Sequence, residues 1–240
     1  MSWHLGRMAS FDTETTGVDV ERDRIVTAAL LLVGGDRPTE THSWLADPGV
    51  EIPEAASEVH GITTARARAE GRPAPMVISE VAAVLADQIA AGVPIVAMNA
   101  RYDLTLLDRE LARHGLPPLD EQAGAEPVVL DPLVMDKRAA KYRKGKRRLI
   151  DLAQVYGVQL GDDAHDATAD ATAAAAVVRA IAERFPALQT TELTRLHRLQ
   201  TAWAREQAID LQEHLRRKNP GEQVVVEQAW PLVPRPRAGA

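Results

Sequence analysis

The order of apolar segments predicts an α/β fold: a mixed sheet with helices packed on its faces, followed by a helical C-terminal extension. Three observations carry this. Three strand-like segments come first, later strand-like segments alternate with helical ones, and beyond Pro186 the pattern becomes one long charged amphipathic stretch. Residues 7–11 read as a short strand running into Asp12. RIVTAALLLVGGD (24–36) reads as a buried strand closed by a Gly-Gly turn, with THSWL as its hairpin partner. The Pro- and Glu-rich piece 47–75 reads as irregular or short-helical. A helix is expected from Val77 to Ala90, with Val81, Val84, Leu85 and Ile89 on one face. PIVAMN (94–99) is a further apolar strand. The helix starting near Asp103 carries Leu104, Leu107 and Leu111 and stops before Gly115. PVVLD (127–131) reads as a strand ending on an acid, and helices follow at 149–156 and 166–184. Residues 191–217 place Leu193, Leu196, Leu199, Trp203, Leu211 and Leu215 at helical spacing, and Asn219-Pro220-Gly221 ends that helix. VVVEQAW (224–230) reads as a short strand and PRPRAGA as a loose tail.

Composition narrows the class. With 240 residues, 45% hydrophobic and 26% charged, the chain reads as globular. It has no cysteine, which excludes disulfides and thiolate metal sites and fits a reducing compartment. MSWHLGRMAS lacks a basic start followed by a long apolar segment, and no apolar run approaches the ~20 residues that span a bilayer. The expectation is a cytoplasmic protein without a membrane partner. The net charge of −6 gives no hint of nucleic acid, but KRAAKYRKGKRR (137–148) carries eight Lys or Arg and no acid.

The stretch MASFDTETTGVD (8–19) raises the chemical question. Strand side chains alternate, so Asp12 and Glu14 share a face. Two carboxylates held together repel unless a cation, a proton or a partner lies between them. Asp103 follows the PIVAMN strand, and Asp170 lies near the start of an Ala-rich helix. Sheet architecture can bring all four into the crevice beyond the strand ends. Hard oxygen donors without cysteine favour Mg²⁺ or Mn²⁺ over zinc. His165, five residues before Asp170, converges with it only from the loop entering the helix. Its imidazole is suited to taking a proton near neutrality. Taken singly, these residues also fit a hairpin turn, a helix-entry acid and an ordinary loop histidine. Asp162, Asp163 and Asp166 read as caps or solvated acids, and Asp131 as a structural acid near the site.

FDTETTG (11–17), NARYD (99–103) and the His165-x4-Asp170 spacing together resemble the DEDDh (DnaQ-like) 3′–5′ exonucleases. The nearest likeness is to the proofreading epsilon subunit of bacterial DNA polymerase III. VHGIT (59–63), VLDPLVMDK (129–137) and KGKRRLIDLAQVYGV (144–158) follow in the family's order. The resemblance implies a ribonuclease H-like fold in residues 1–186, with 187–240 a helical extension and tail. It implies two divalent ions, Mg²⁺ or Mn²⁺. Asp12, Glu14 and Asp170 would hold one, Asp12 would bridge to the second, and Asp103 would hold that second ion directly or through water. His165 would be the general base, with Glu14 also in the catalytic set. A metal-activated water would cleave the last phosphodiester and release 5′-mononucleotides. Thr15, Thr16, His60, Met98 and Asn99 would contact the 3′-terminal nucleotide, with Met98 standing where many relatives have histidine. The expected partner is the 3′ end of single-stranded or frayed DNA. RNA trimming is the alternative, and a nucleic-acid-binding module without catalysis is the alternative from another class. A polymerase or a second copy of the chain is a candidate protein partner.

Overall fold

The computed structural model describes residues 2–160 and 166–235. A single turn of 3₁₀ helix (Trp3–Leu5) leads into β1 (Met8–Thr15), which forms an antiparallel meander with β2 (Ile25–Val33) and β3 (Glu40–Asp47). Two short helices, α1 (Glu54–His60) and α2 (Thr64–Glu70), then lead to β4 (Arg72–Pro73) and α3 (Ala74–Ala90). The chain continues through β5 (Ile95–Val96), α4 (Ala100–Arg113), α5 (Leu119–Ala123), β6 (Val129–Leu130) and α6 (Pro132–Ala139). It closes with α7 (Leu149–Tyr156), α8 (Ala167–Arg184), α9 (Pro186–Gln189) and α10 (Leu193–Lys218). The sheet order is β4-β3-β2-β1-β5-β6, with β5 parallel to β1 and β6 parallel to β5. This is the mixed, helix-flanked sheet that the segment order predicts.

β2 is apolar along most of its length because both faces are covered. Phe11, Leu30, Ile78, Leu85, Ile95, Leu107 and Leu130 are fully buried in one core. Each such side chain contributes roughly 1.5–3 kcal/mol by leaving water. The turn after β2 needs glycine at Gly34. Its φ is +82°, and a Cβ there would lie 2.4 Å from the Gly6 carbonyl oxygen. α8 approaches β1 and β2 closely because its first turns are alanine: Ala167 and Ala171 pack on Ala29 and Leu31. The Ser10 hydroxyl donates to the Ala171 carbonyl at 2.6 Å.

Two expectations change. The first strand does not stop near residue 11 but runs to Thr15, so Asp12 and Glu14 lie inside it. VVVEQAW forms no strand. α10 lies against β6, its His197 and Gln200 bonding to Val129, and Trp230 of that segment is buried in the core. Along α10 burial is uneven, with Ala208 buried in the second half and Leu215 half-buried. Leu196 and Trp203 are buried, whereas Leu211 is 44% exposed. Among the described residues, no helix is long and apolar enough to cross a membrane.

Candidate active site

β1 carries Asp12 and Glu14 on the face covered by α8, and Asp170 occupies the first turn of α8. Carboxylate oxygens of Asp12, Glu14 and Asp170 all lie within 4.8 Å of one another, each residue half-buried. Asp166 caps α8, accepting from the Thr168 and Ala169 amides. The register of β1 against β2 slips between Glu14 and Thr15, where Val26 is the extra residue. Such a bulge bends a strand and re-aims its side chains.

Asp103 arrives from the opposite side. β5 pairs with β1 only at Ala9 and Ser10, so β1 outruns it and exposes its edge beyond that point. The buried Asp103 takes up that edge: its Oδ1 accepts from the Thr13 amide at 3.2 Å and the Thr13 hydroxyl at 2.7 Å.

The electrostatics show an unbalanced cluster. Burial pushes Asp12 well above the ordinary carboxylate range, and Asp103, Asp170 and Glu14 push it further. Glu14 is pushed up to about 7, by burial first and then by Asp170 and Asp103. Burial also raises Asp103 to about 7 even though the Thr13 hydrogen bonds oppose it. Crowded hard oxygen donors that hold protons near neutrality fit a divalent cation, whose charge would reverse each of these shifts. The donor set therefore suits Mg²⁺ or Mn²⁺.

The remaining predicted residues divide. Thr15 bonds through its hydroxyl to the Gly17 carbonyl and to Tyr102 Oη, 2.6 and 2.8 Å away. The Thr16 hydroxyl donates to Asp23 Oδ1 and accepts from the Arg24 amide. Both threonine hydroxyls are thus built into the turn after β1. Burial lowers the His60 pKa, and the neighbouring Thr15 backbone partly opposes this. Its Nδ1 accepts from the Ile62 amide. Thr27, Ser43, His60, Arg66, Asp166 and Thr168 line a polar groove of about 390 Å³ beside the acids. Met98 packs against the core, and Asn99 caps α4 in the left-handed region (φ 58°). His165 lies outside the described residues.

Asp131 is more than a strand-end acid. It is 1% exposed, and its carboxylate accepts from the Asn99, Ala100 and Leu133 amides and from Trp230 Nε1. The basic segment is also partly structural. Arg143 and Arg147 both pair with the fully buried Asp136, which accepts from Tyr156 Oη as well. Arg148 pairs with Asp151. Sequence reasoning missed Thr13, Tyr102 and Trp230. The alternation that flags Asp12 and Glu14 puts Thr13 on the other face of β1, and was the one available signal.

The sequence matches the RNase_T exonuclease family over residues 10–178, about 70% of the chain. The chain belongs to that family. Its acids and histidine follow the order of the DEDDh type of 3′–5′ exonuclease. It is 33% identical over 189 residues to a DNA polymerase III subunit epsilon-like protein of Rhodobacter capsulatus, covering 77% of this chain and 24% of that one. It is 28% identical over 163 residues to the PolC-type DNA polymerase III of Lacticaseibacillus paracasei, covering 68% and 10% respectively. The chain thus spans a quarter or less of these relatives. The fold is shared with solved structures of exonuclease I. One superposes with a TM-score of 0.66 at 21% identity, covering 76% of this chain and 42% of the other. The Escherichia coli enzyme in complex with a dT13 oligonucleotide gives 0.62 at 22% identity, with the same coverage.

Proposed function

We propose that this family member is a divalent-metal-dependent 3′–5′ exonuclease that removes 5′-mononucleotides from single-stranded or frayed DNA ends. The observation that carries this reading is the convergence of Asp12, Glu14 and Asp170 within 4.8 Å, from two elements some 155 residues apart in sequence. The raised proton affinities of Asp12 and Glu14 support a cation at this cluster. Asp12, Glu14 and Asp170 would hold one ion, and Asp12 with Asp103 a second. When bound, such ions supply a water acidic enough to attack at neutral pH and charge to stabilise the leaving oxygen. The chain's own contribution is orientation. Thr13 fixes the Asp103 carboxylate, Ser10 ties α8 to β1, and the β1–β2 bulge aims Glu14. His165, five residues before Asp170 in the sequence, would accept the proton of the attacking water.

Two similarities support DNA as the substrate. The relatives include proteins named for DNA polymerase III, and the fold is that of an exonuclease I solved with a DNA oligonucleotide. The polar groove beside the acids is where a terminal nucleotide would lie. The test is degradation of 5′-labelled single strands, matched in DNA and RNA, with Mg²⁺, Mn²⁺ or EDTA. The expected result is a ladder shortening from the 3′ end, faster on DNA, and abolished by EDTA. Fresh protein that leaves both strands intact with Mn²⁺ defeats the reading. Preferential shortening of RNA reassigns the substrate.

A further inference from the structure

The C-terminal segment beyond α10 lies outside the matched family region, yet it touches the helix that carries Asp103 along most of its length. Arg101 Nη1 donates to the Glu227 carbonyl at 2.6 Å. The Val233 amide donates to the buried Thr105 hydroxyl at 3.1 Å. Arg109 donates to the Val233 and Pro234 carbonyls, and Arg235 pairs with Asp108 at 2.8 Å. Between these contacts Trp230, 7% exposed, donates its indole N–H to Asp131 Oδ2 at 3.2 Å. The same carboxylate accepts from the amides of Asn99 and Ala100. Asn99 is one of two non-glycine residues with positive φ among the described residues. A strained entrance to α4 is thus held by an acid that is itself held from the C-terminus. Gln200 of α10 completes the grip by accepting the Asp131 amide at 2.8 Å.

We propose that residues 224–235 are a positioning strap. Trp230, acting through Asp131, fixes the first turn of α4 and thereby places the Asp103 carboxylate against Thr13 and Asp12. Trp230 and Asp131 are positioning residues, remote from the nucleotide. The physical basis is that a ligand's outer partners set its orientation, and their loss typically costs 10–100-fold in metal affinity or activity. The proposal rests on the metal-site reading above and gives residues beyond the nuclease core a part in it.

The experiment uses the full chain and the variants Trp230→Phe, which keeps the apolar ring and removes the N–H, and Asp131→Asn. Three quantities are read: amide hydrogen exchange at Asn99–Tyr102, Mn²⁺ binding followed by the resonance of the free ion, and kcat with KM on a labelled strand. In Trp230→Phe, exchange at the α4 entrance should quicken, and Mn²⁺ affinity and kcat should each fall about threefold to tenfold, with KM little changed. Asp131→Asn should move all three further, by about 10–100-fold in affinity or kcat. Unchanged exchange in Trp230→Phe overturns the strap whatever the metal does. Quickened exchange with Mn²⁺ affinity and kcat kept within twofold makes the segment merely structural and also overturns it. Quickened exchange in Trp230→Phe beside a wild-type protein that binds no Mn²⁺ and cuts no strand defeats the nuclease reading and the positioning role together.

Discussion

Replacing Glu14 by Gln should inactivate the enzyme while making the metal-free protein more stable at pH 8. Glu14 holds its proton to about 7 instead of the ordinary 4.5, because burial and the Asp170 and Asp103 charges disfavour the anion. At 1.36 kcal/mol per pH unit, that rise corresponds to roughly 3 kcal/mol. Glu14 is only half-buried, and solvent screening reduces the figure to about 1–2 kcal/mol. The sign follows from proton linkage. Between pH 4.5 and 7 the folded chain binds more protons at Glu14 than the unfolded chain does. Its stability therefore falls as pH rises through that window, carries the full penalty above 7, and carries none below 4.5. Glutamine has no such dependence. For a chain of this size each kcal/mol moves Tm by about 2–4 °C. In EDTA at pH 8 the variant should melt about 2–8 °C above wild type, and at pH 4 the two should coincide. Saturating Mn²⁺ should invert the order at pH 8, since a ligand that binds only the folded state stabilises it by mass action. Thermal unfolding with and without EDTA at both pH values measures all of this. A variant that melts at or below wild type at pH 8 in EDTA, or that gains equally at both pH values, refutes the account of an electrostatically strained, cation-seeking cluster.

Asp12→Ala should abolish strand shortening with circular dichroism and gel-shift affinity for DNA largely kept; turnover within about tenfold of wild type, a loss no larger than that of an outer partner, would remove it from the metal set. His165→Ala should slow hydrolysis by roughly 10²–10⁴-fold and flatten the rise of rate with pH near neutrality, and a profile of wild-type shape would assign the base elsewhere. Asp136→Ala should cost about 3 kcal/mol in urea unfolding, because Arg143, Arg147 and Tyr156 all lose one fully buried acceptor. Lys144→Ala with Lys146→Ala should lower the salt slope of single-strand binding by about 0.7 per lysine, and an unchanged slope would show that these exposed cations do not meet phosphates.

Much of the candidate site's geometry was readable because it depends on short-range rules. Alternation along a strand puts Asp12 and Glu14 on one face wherever the strand ends. Alanine spacing and a capping acid set the start of α8, so Asp170 falls in its first turn. The Asn219-Pro220-Gly221 stop signal matched the end of α10. What was not readable depends on lengths and edges. That Thr13 would hold Asp103 follows from β1 outrunning β5, a difference in strand length that the apolar pattern does not encode. PIVAMN reads as six strand residues, but only Ile95 and Val96 pair, because the chain must turn at Asn99 to begin α4. VVVEQAW has the β-branched composition of a strand. It forms none, and the indole of Trp230 goes to Asp131 instead. Local propensity lost to tertiary context.

The contacts between α10 and β6 bear on how the chain behaves toward its own copies. β6 would be the raw rim of the sheet, yet His197 accepts the Val129 amide, and Gln200 takes the Val129 carbonyl and the Asp131 amide. The opposite rim ends in β4, two residues long, one of them a proline that lacks an N–H. Side chains of one helix thus fill the hydrogen-bonding groups at which a foreign strand would add. A fragment cut at residue 186 would expose that rim together with the apolar footprint of Leu196, Trp203 and Trp230. Light scattering should find it aggregating at concentrations where the full chain stays dispersed.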